Sequence, residues 1–274
     1  TKQYRARSGR VNEAQLAAAH SLEHTSVIAP PGSGKTHTLV ERCAHLANTF
    51  AGVLIINVTF TREAADEMQT RVARRVGAST PSIVSNTFHS LCKSRLVALK
   101  LLPERIIQSG YRSHLLRKIT AEVAFKHKVN LKDGDAGVVV EQLKRFGINP
   151  TEYDPWKQDV LALYEKGLRD ENCVDLSDLV LRYLKRLADG TIEPFRADFL
   201  HVDEYQDTDA GQLDFVLRHA NSGCVTTIVA DDDQAIYSFR ASLGYQGVTQ
   251  FEEQLNARRI ILTTNYRSRA EIVE

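Results

Sequence analysis

The sequence predicts an α/β protein, a parallel sheet flanked by helices and interrupted by an inserted all-helical subdomain. Three observations carry this prediction. Short apolar, β-branched runs alternate with helix-length segments at both ends of the chain, the pattern of buried parallel strands joined by helical crossovers. One run, Val27-Ile28, leads into Ala29-Pro30-Pro31-Gly32-Ser33-Gly34-Lys35-Thr36, a Gly-rich turn that opens a helix. Between 93 and 190 the alternation stops and helical patterns follow one another.

Composition sets the outer bounds. At 274 residues and 43% hydrophobic, the chain can hold one large domain or two modest ones around a real core. Charge is balanced, 35 Lys and Arg against 34 Asp and Glu, so nothing global argues for a polyanion partner. The distribution is uneven: residues 93–145 carry 12 basic and 5 acidic side chains, and residues 152–214 carry 7 and 16. That permits a basic face beside an acidic metal–phosphate site, although solvated helix faces account for it equally well. The four cysteines, Cys43, Cys92, Cys173 and Cys224, form no CxxC pair. Neither a zinc site nor a disulfide framework is indicated, and reduced thiols of an intracellular protein are expected. No apolar run approaches membrane-spanning length.

The elements follow in order. Residues 1–10 are polar and basic, a loose arm. Asn12 and Gln15 have the spacing of a helix capping box, and a Gln there also suits reading an adenine edge. The 29–36 turn has the layout of a phosphate-binding loop: Gly32, Ser33 and Gly34 let backbone N–H groups face an anion, Lys35 reaches phosphate oxygens, and Thr36 holds Mg²⁺. The usual first Gly is Ala29 here. A helix over 37–46 follows. Strands over 53–58 and 83–85 each run into a Thr-aromatic pair, Thr59-Phe60 and Thr87-Phe88, with helices over 63–76 and beyond. Strand ends of this kind suit a phosphate backbone and a stacked base, although Phe60 and Phe88 suit core packing as well. Helices are expected over 91–99, 113–127, 136–146, 156–169 and 176–188, with Trp156 as a core anchor. A strand over 199–202 ends at Asp203-Glu204, an acidic pair that suits Mg²⁺ binding at Asp203 and activation of water by Glu204. A helix over 211–219 precedes a strand over 224–230. That strand ends in Asp231-Asp232-Asp233-Gln234, a solvated turn or a cation site, with Tyr237 and Phe239 just beyond. A final strand over 259–262 precedes Asn265-Tyr266-Arg267-Ser268.

Taken together, Asn12-x-x-Gln15, the 29–36 loop, Thr59-Phe60-Thr61, Thr87-Phe88-His89-Ser90, Asp203-Glu204-Tyr205-Gln206-Asp207-Thr208, the 231–240 stretch and Asn265-Tyr266-Arg267-Ser268 resemble the ordered motifs of UvrD/Rep/PcrA-like superfamily 1A DNA helicases. The resemblance implies a RecA-like P-loop NTPase fold. The first motor domain would cover 1–92 and 191–274, the helical 1B insertion 93–190, and a second motor domain would lie beyond this chain. It implies ATP and Mg²⁺ as cofactors. Partners would be single-stranded DNA and single/double-strand junctions. The implied activity is 3′→5′ translocation coupled to ATP hydrolysis in repair, replication or recombination, weak in this chain alone. The compartment would be cytoplasm in a bacterium or nucleus in a eukaryote, with no membrane association. Gln15 looks like the adenine reader and Tyr266 like the ring stacked on adenine. Lys35, Thr36, Asp203 and Glu204 look like the hydrolysis set, Gln234 like the γ-phosphate sensor and Arg267 like an arginine finger. Phe60, His89, Tyr237 and Phe239 look like single-strand contacts, with Thr59 and Thr87 near the backbone. The family's Asn-Lys after Thr-Phe-Thr is Arg62-Glu63 here, and its Arg after the loop Thr is His37. The contrasting expectation is a non-catalytic, nucleotide-gated DNA-binding module, against which intact Lys35 and Glu204 argue.

Overall fold

A computed structural model of the chain describes residues 11–77, 82–102, 104–146, 153–231 and 243–266. The chain divides into two compact units. The first comprises 1–88, 193–208 and 212–274, and the second comprises 89–192 and 209–211.

The first unit is built on a six-stranded parallel sheet. Its strands are β1 (Thr25–Ile28), β2 (Ile55–Thr59), β3 (Ile83–Thr87), β6 (Phe199–Val202), β7 (Val225–Ala230) and β8 (Arg258–Ile261), in the order β3-β2-β6-β7-β1-β8. β1 and β6 are buried along their whole length, as parallel strands covered on both faces must be. The helices of this unit are α1 (Glu13–His20), α2 (Lys35–Thr49), α3 (Arg62–Val76) and α10 (Gly244–Leu255), together with most of α9 (Ala210–Asn221). Leu39, Val40, Cys43 and Leu46 of α2 pack with Val27, Ile55, Ile83 and Val229 of the sheet and Met68 and Val72 of α3. Every strand delivers its C-terminal end to the same edge, where open parallel sheets present their ligand crevice. The adjacent strands β6, β7 and β1 bring Asp203, Asp231 and the 29–36 loop there from three distant parts of the sequence.

Behind that edge lies a buried polar network. The fully buried Arg42 of α2 donates from Nη1 to the carbonyls of Ala18 (3.0 Å) and Ser21 (2.5 Å), closing the C-terminal end of α1. Its Nε donates to His201 Nε2 (3.0 Å), so His201 is the neutral tautomer whose Nδ1–H donates to Asn57 Oδ1 (2.9 Å). Burial and the Arg42 charge hold the His201 pKa well below its ordinary value, and burial lowers that of Arg42 to about 10. The network thus ties α1, α2, β2 and β6 together two residues before Asp203.

The second unit is helical but for two two-residue parallel strands, β4 (Arg105–Ile106) and β5 (Cys173–Val174), too short to announce themselves in the sequence. Its helices are α4 (Phe88–Ala98, from His89 on), α5 (Ser109–His127), α6 (Asp135–Phe146), α7 (Pro155–Asp170) and α8 (Leu176–Ala188). Leu115, Ile119, Val123, Val139, Val140, Leu143, Val160 and Tyr164 form its core, with Trp156 packed against it. α8 opens with a reciprocal cap: Asp178 N–H donates to Asp175 Oδ1, and Asp175 N–H donates to Asp178 Oδ2, both at 2.9 Å.

Two sequence expectations need adjustment. α10 has no counterpart in the sequence reading, because Gly244 and Gly247 weaken its helical pattern. α2 begins at Lys35, so the loop residues Lys35 and Thr36 are its first turn. All four cysteines are free thiols. Burial pushes Cys43 and Cys224 up to about 12, which keeps them protonated and unreactive. Among the described residues no helix is long and apolar enough to cross a membrane.

Candidate active site

The loop between β1 and α2 is shaped by its glycines. Ala29, fully buried, still donates its N–H to Ala230 O (2.9 Å), so the loop leaves the sheet in register with β7. Gly32 and Gly34 have φ of 80° and 86°, the left-handed region. At that φ a side chain on Gly34 would be strained, and its Cβ would lie 2.7 Å from Gln15 Nε2, which would have to move. Gly34 is the N-cap of α2 and offers no side chain to its first N–H groups, which a helix leaves without intrahelical partners. Beside them the Ser33 hydroxyl is buried without a hydrogen-bond partner. A buried orphan hydroxyl at an uncapped helix N-terminus is the chemistry of an anion cradle.

The acidic side of the site faces this cradle. Lys35 Nζ donates to Asp231 Oδ2 (3.0 Å) and Glu204 Oε2 (3.1 Å). Burial pulls the lysine pKa down, but Glu204 and Asp231 together outweigh it and leave it raised. The Thr36 hydroxyl donates to Asp203 Oδ2 (3.3 Å). Burial first, and then the Glu204 charge, push Asp203 up to about 6. A carboxylate so penalised gains from any cation brought to it. Glu204 follows in the left-handed conformation, φ 51°, which turns its side chain back toward Lys35. Gln206, in the 3₁₀ turn Tyr205–Asp207, donates to Glu204 Oε2 (2.8 Å) and accepts from the Asp231 backbone N–H (3.0 Å).

At the other end of the loop, Gln15 fills the capping-box role, one of the two that the sequence left as alternatives, and also ties the loop to α1. Its Oε1 accepts from Asn12 N–H (3.0 Å) in a complete capping box, and its Nε2 donates to Ser33 O (3.1 Å). Each half of the amide thus spends one bond on structure, on a residue that is 1% exposed. Asn12 Nδ2 donates to the Tyr266 hydroxyl (3.0 Å), and Tyr266 N–H donates to Gly32 O (2.8 Å). The ring, 43% exposed, is therefore anchored beside α1 and the loop.

The strand-end residues expected to meet a nucleic acid divide sharply. Phe60 is exposed, as a stacking ring must be, whereas Phe88 is buried edge-on against Phe215 with centroids 5.4 Å apart and is a core residue. Thr59 and Thr87 are register partners on β2 and β3 and both are buried; the Thr59 hydroxyl is spent on Thr61 O (3.0 Å). His89 is half-buried and belongs to the second unit. Gln234, Tyr237, Phe239 and Arg267 lie outside the described residues. Sequence reasoning passed over Gln206 and gave Asp231 no specific partner, since neither can be paired with Lys35 or Glu204 until the strand order is known.

The arrangement can neutralise an anion at Lys35 and the α2 N-terminus. It can hold a divalent cation at Thr36 and Asp203, and offer the Glu204 carboxylate to a water. Among the described residues no group of three or more His, Cys, Asp or Glu could hold a metal. A cation at Thr36 and Asp203 would therefore draw its remaining ligands from water and from the anion itself.

Known proteins match this chain along nearly its whole length. The model of the UvrD/REP helicase N-terminal domain matches residues 11–255. The ATP-dependent DNA helicase PcrA of Bacillus subtilis is 30% identical over 273 residues, 90% of this chain and 36% of the relative. DNA helicase II of Escherichia coli is 30% identical over 269 residues, 90% of this chain and 37% of the relative. The ATP-dependent DNA helicase SRS2 of Saccharomyces cerevisiae is 30% identical over 308 residues, 94% of this chain and 26% of the relative. The chain thus spans between a quarter and two-fifths of the length of these relatives. The parallel sheet, the glycine loop at its edge and the match over 11–255 together establish that this chain belongs to the UvrD/REP helicase family, through its N-terminal domain.

Proposed function

We propose that this chain is the ATP-binding part of a DNA helicase, a 3′→5′ motor on single-stranded DNA. The observation that carries the proposal is the convergence of Lys35, Thr36, Asp203, Glu204 and Asp231 at one sheet edge, facing an uncapped helix N-terminus and the orphaned Ser33 hydroxyl. Relatives at 30% identity carry the names ATP-dependent DNA helicase and DNA helicase II.

In this reading Gly32, Ser33 and Gly34 cradle phosphates, Lys35 exchanges its two carboxylates for phosphate oxygens, and Thr36 and Asp203 hold Mg²⁺. The ion supplies charge neutralisation at the phosphates when bound. Gln15 and Tyr266 hold the adenine, by its edge and its face. Glu204 orients and deprotonates the attacking water. Gln234 and Arg267 are assigned sensor and finger roles from the family motifs. Single strands and strand junctions are the proposed partners, with Phe60, His89, Tyr237 and Phe239 as contacts and Thr59 and Thr87 supporting the strand ends from within. A second motor domain, as the relatives' greater length suggests, would complete the track and the charge clamp. The chain alone is then expected to bind Mg·ATP and turn it over slowly.

The test is Mg·ATP hydrolysis with and without a single-stranded oligonucleotide, at a fixed low salt concentration because phosphate contacts are salt-sensitive. Glu204→Gln should lower turnover by about 10²–10⁴-fold, the range for losing a general base, and leave nucleotide bound. A chain that binds nucleotide and DNA but whose turnover ignores Glu204→Gln is instead the non-catalytic, nucleotide-gated module.

A further inference from the structure

We infer that Gln206 is the positioning residue for Glu204, and the link between that carboxylate and Asp231 at the end of β7. The inference rests on the reading of Glu204 as the general base.

Gln206 is almost fully buried, at 3% exposed, so its amide must be satisfied within the protein. A backbone N–H can only donate, which fixes Oε1 toward Asp231 N and Nε2 toward Glu204 Oε2. The amide therefore spans the ends of β6 and β7 in one orientation. Among the described residues two donors hold Glu204, Lys35 and Gln206, and both act on Oε2. The other carboxylate oxygen is left to the open side, on a side chain 41% exposed.

The two tethers differ in permanence. Lys35 is the group that phosphate oxygens would claim, and among the described residues Glu204 then keeps one side-chain tether, the Gln206 amide. A free Glu side chain has three torsions to lose, and holding a base in its working geometry is a large part of what positioned groups contribute. Because the other end of the same amide holds the Asp231 N–H, a shift at the end of β7 moves the tether of the base. Gln206 thus connects the end of β7 to the proposed base through two hydrogen bonds.

The test compares Gln206→Met, Gln206→Glu, Glu204→Gln and the double variant Gln206→Met/Glu204→Gln. Single-turnover hydrolysis of labelled Mg·ATP is read alongside affinity for a fluorescent Mg·ADP analogue and retention of Mg·ADP with aluminium fluoride. Gln206→Met should slow hydrolysis about 10–100-fold and speed loss of the aluminium fluoride complex, with Mg·ADP affinity unchanged within about threefold. The double variant should be no slower than Glu204→Gln, since both act through one carboxylate. Gln206→Glu keeps an acceptor for Asp231 N–H and sets a second carboxylate against Glu204, so it should slow hydrolysis at least as much as Gln206→Met; it carries the test if the Met variant fails to fold. Hydrolysis by Gln206→Met at the wild-type rate, or multiplicative losses in the double variant, overturns the inference. An unchanged Glu204→Gln rate, or a wild-type chain that neither turns over nor retains the fluoride complex, overturns the general-base reading itself and takes the inference with it.

Discussion

Each of the two units holds a lysine ringed by carboxylates, and the two rings mean different things. In the sheet unit Lys35 lies between Glu204 and Asp231. In the helical unit Lys144 lies between Glu165 (2.7 Å), Asp175 (3.0 Å) and Asp178 (2.7 Å), 5.2 Å from the centre of the Tyr164 ring. Asp175 and Asp178 are already committed, because each caps the other's backbone at the start of α8. Lys144 therefore pins α8 and α7 to α6, with Glu165 alone of its three partners reaching the surface. Around Lys35 the neighbours are unfinished: an uncapped helix N-terminus, an orphaned hydroxyl, and a Glu204 side chain 41% exposed. A buried lysine among acids is thus no evidence of a site by itself. What marks a site is the same cluster at strand C-termini, beside groups whose hydrogen-bonding capacity the fold has left unspent.

The largest effect that sharpens this contrast should come from Lys144→Met. It strands the buried Asp175 against the partly buried Asp178, and breaking a buried ion pair by removing one partner typically costs about 3–5 kcal/mol. Urea unfolding followed by Trp156, the one tryptophan, reports on the unit that contains the cluster. A loss under about 1 kcal/mol would mean that the three carboxylates are not held by Lys144 at all.

Next comes Lys35→Met, whose cost should fall on function. Losing one preorganised charge at a reacting phosphate is worth about 10²–10³ in rate, roughly 3–4 kcal/mol. Unfolding should move less than with Lys144→Met, because Lys35 holds two carboxylates against three and one of them, Glu204, can swing to water, while Asp231, with its side chain fully buried, bears the remaining cost. If Lys35→Met unfolds the sheet unit as severely as Lys144→Met unfolds the helical one, the distinction between an exchangeable and a structural ring fails.

Why one ring was legible in the sequence and the other was not follows from spacing. Lys35 sits in a local signature, Gly32-Ser33-Gly34-Lys35-Thr36, and Asp203-Glu204 ends an evident strand, so the sheet unit, its insertion and half of the site could be read directly. Lys144, Glu165, Asp175 and Asp178 are spread over three helices and resemble solvated surface charges until the helices pack. Arg42 was hidden in the same way. An arginine on an amphipathic helix reads as exposed, and its burial depends on His201 and on the carbonyls of α1. Gln206 could not be singled out because its partner Asp231 reaches it only through the β6–β7 adjacency. Phe60 and Phe88 occupy equivalent strand ends in the sequence, and only packing separates the exposed ring from the buried one.

Acid should separate the units with an effect of intermediate size. His219 is buried and neutral: its Nδ1 donates to Phe215 O (2.6 Å) and its Nε2 accepts from Phe195 N–H (3.1 Å). Burial lowers its pKa from 6.5 to about 4. Between those values the unfolded chain binds a proton that the folded chain refuses, so stability falls as pH falls, by roughly 3 kcal/mol across the whole window. His201 acts in the same direction. In the helical unit, burial raises the Asp175 pKa but Lys144 more than offsets it, leaving it below 3.8. The stability tied to that ionised carboxylate is lost only in stronger acid. Protection factors of the backbone amides in β6 and α9 should therefore fall between pH 7 and pH 5, while the Trp156 transition holds. Equal losses by both probes would remove the pH contrast between the units.

The smallest effect serves as the reference for the others. Glu67 and Arg71 form an i,i+4 ion pair on α3 with side chains 62% and 46% exposed. Water already solvates both groups, and holding two long side chains in one geometry costs entropy, so Arg71→Ala should change unfolding free energy by at most about 0.5 kcal/mol. Raising salt should erase even that, since the pair lies within reach of screening ions. All three pairs have short N–O contacts; what differs is the water each side chain gives up. A loss from Arg71→Ala comparable to that from Lys144→Met would mean that contact geometry rather than desolvation sets the value of these pairs, and the ranking of the two lysine rings would then have to rest on ligand binding alone.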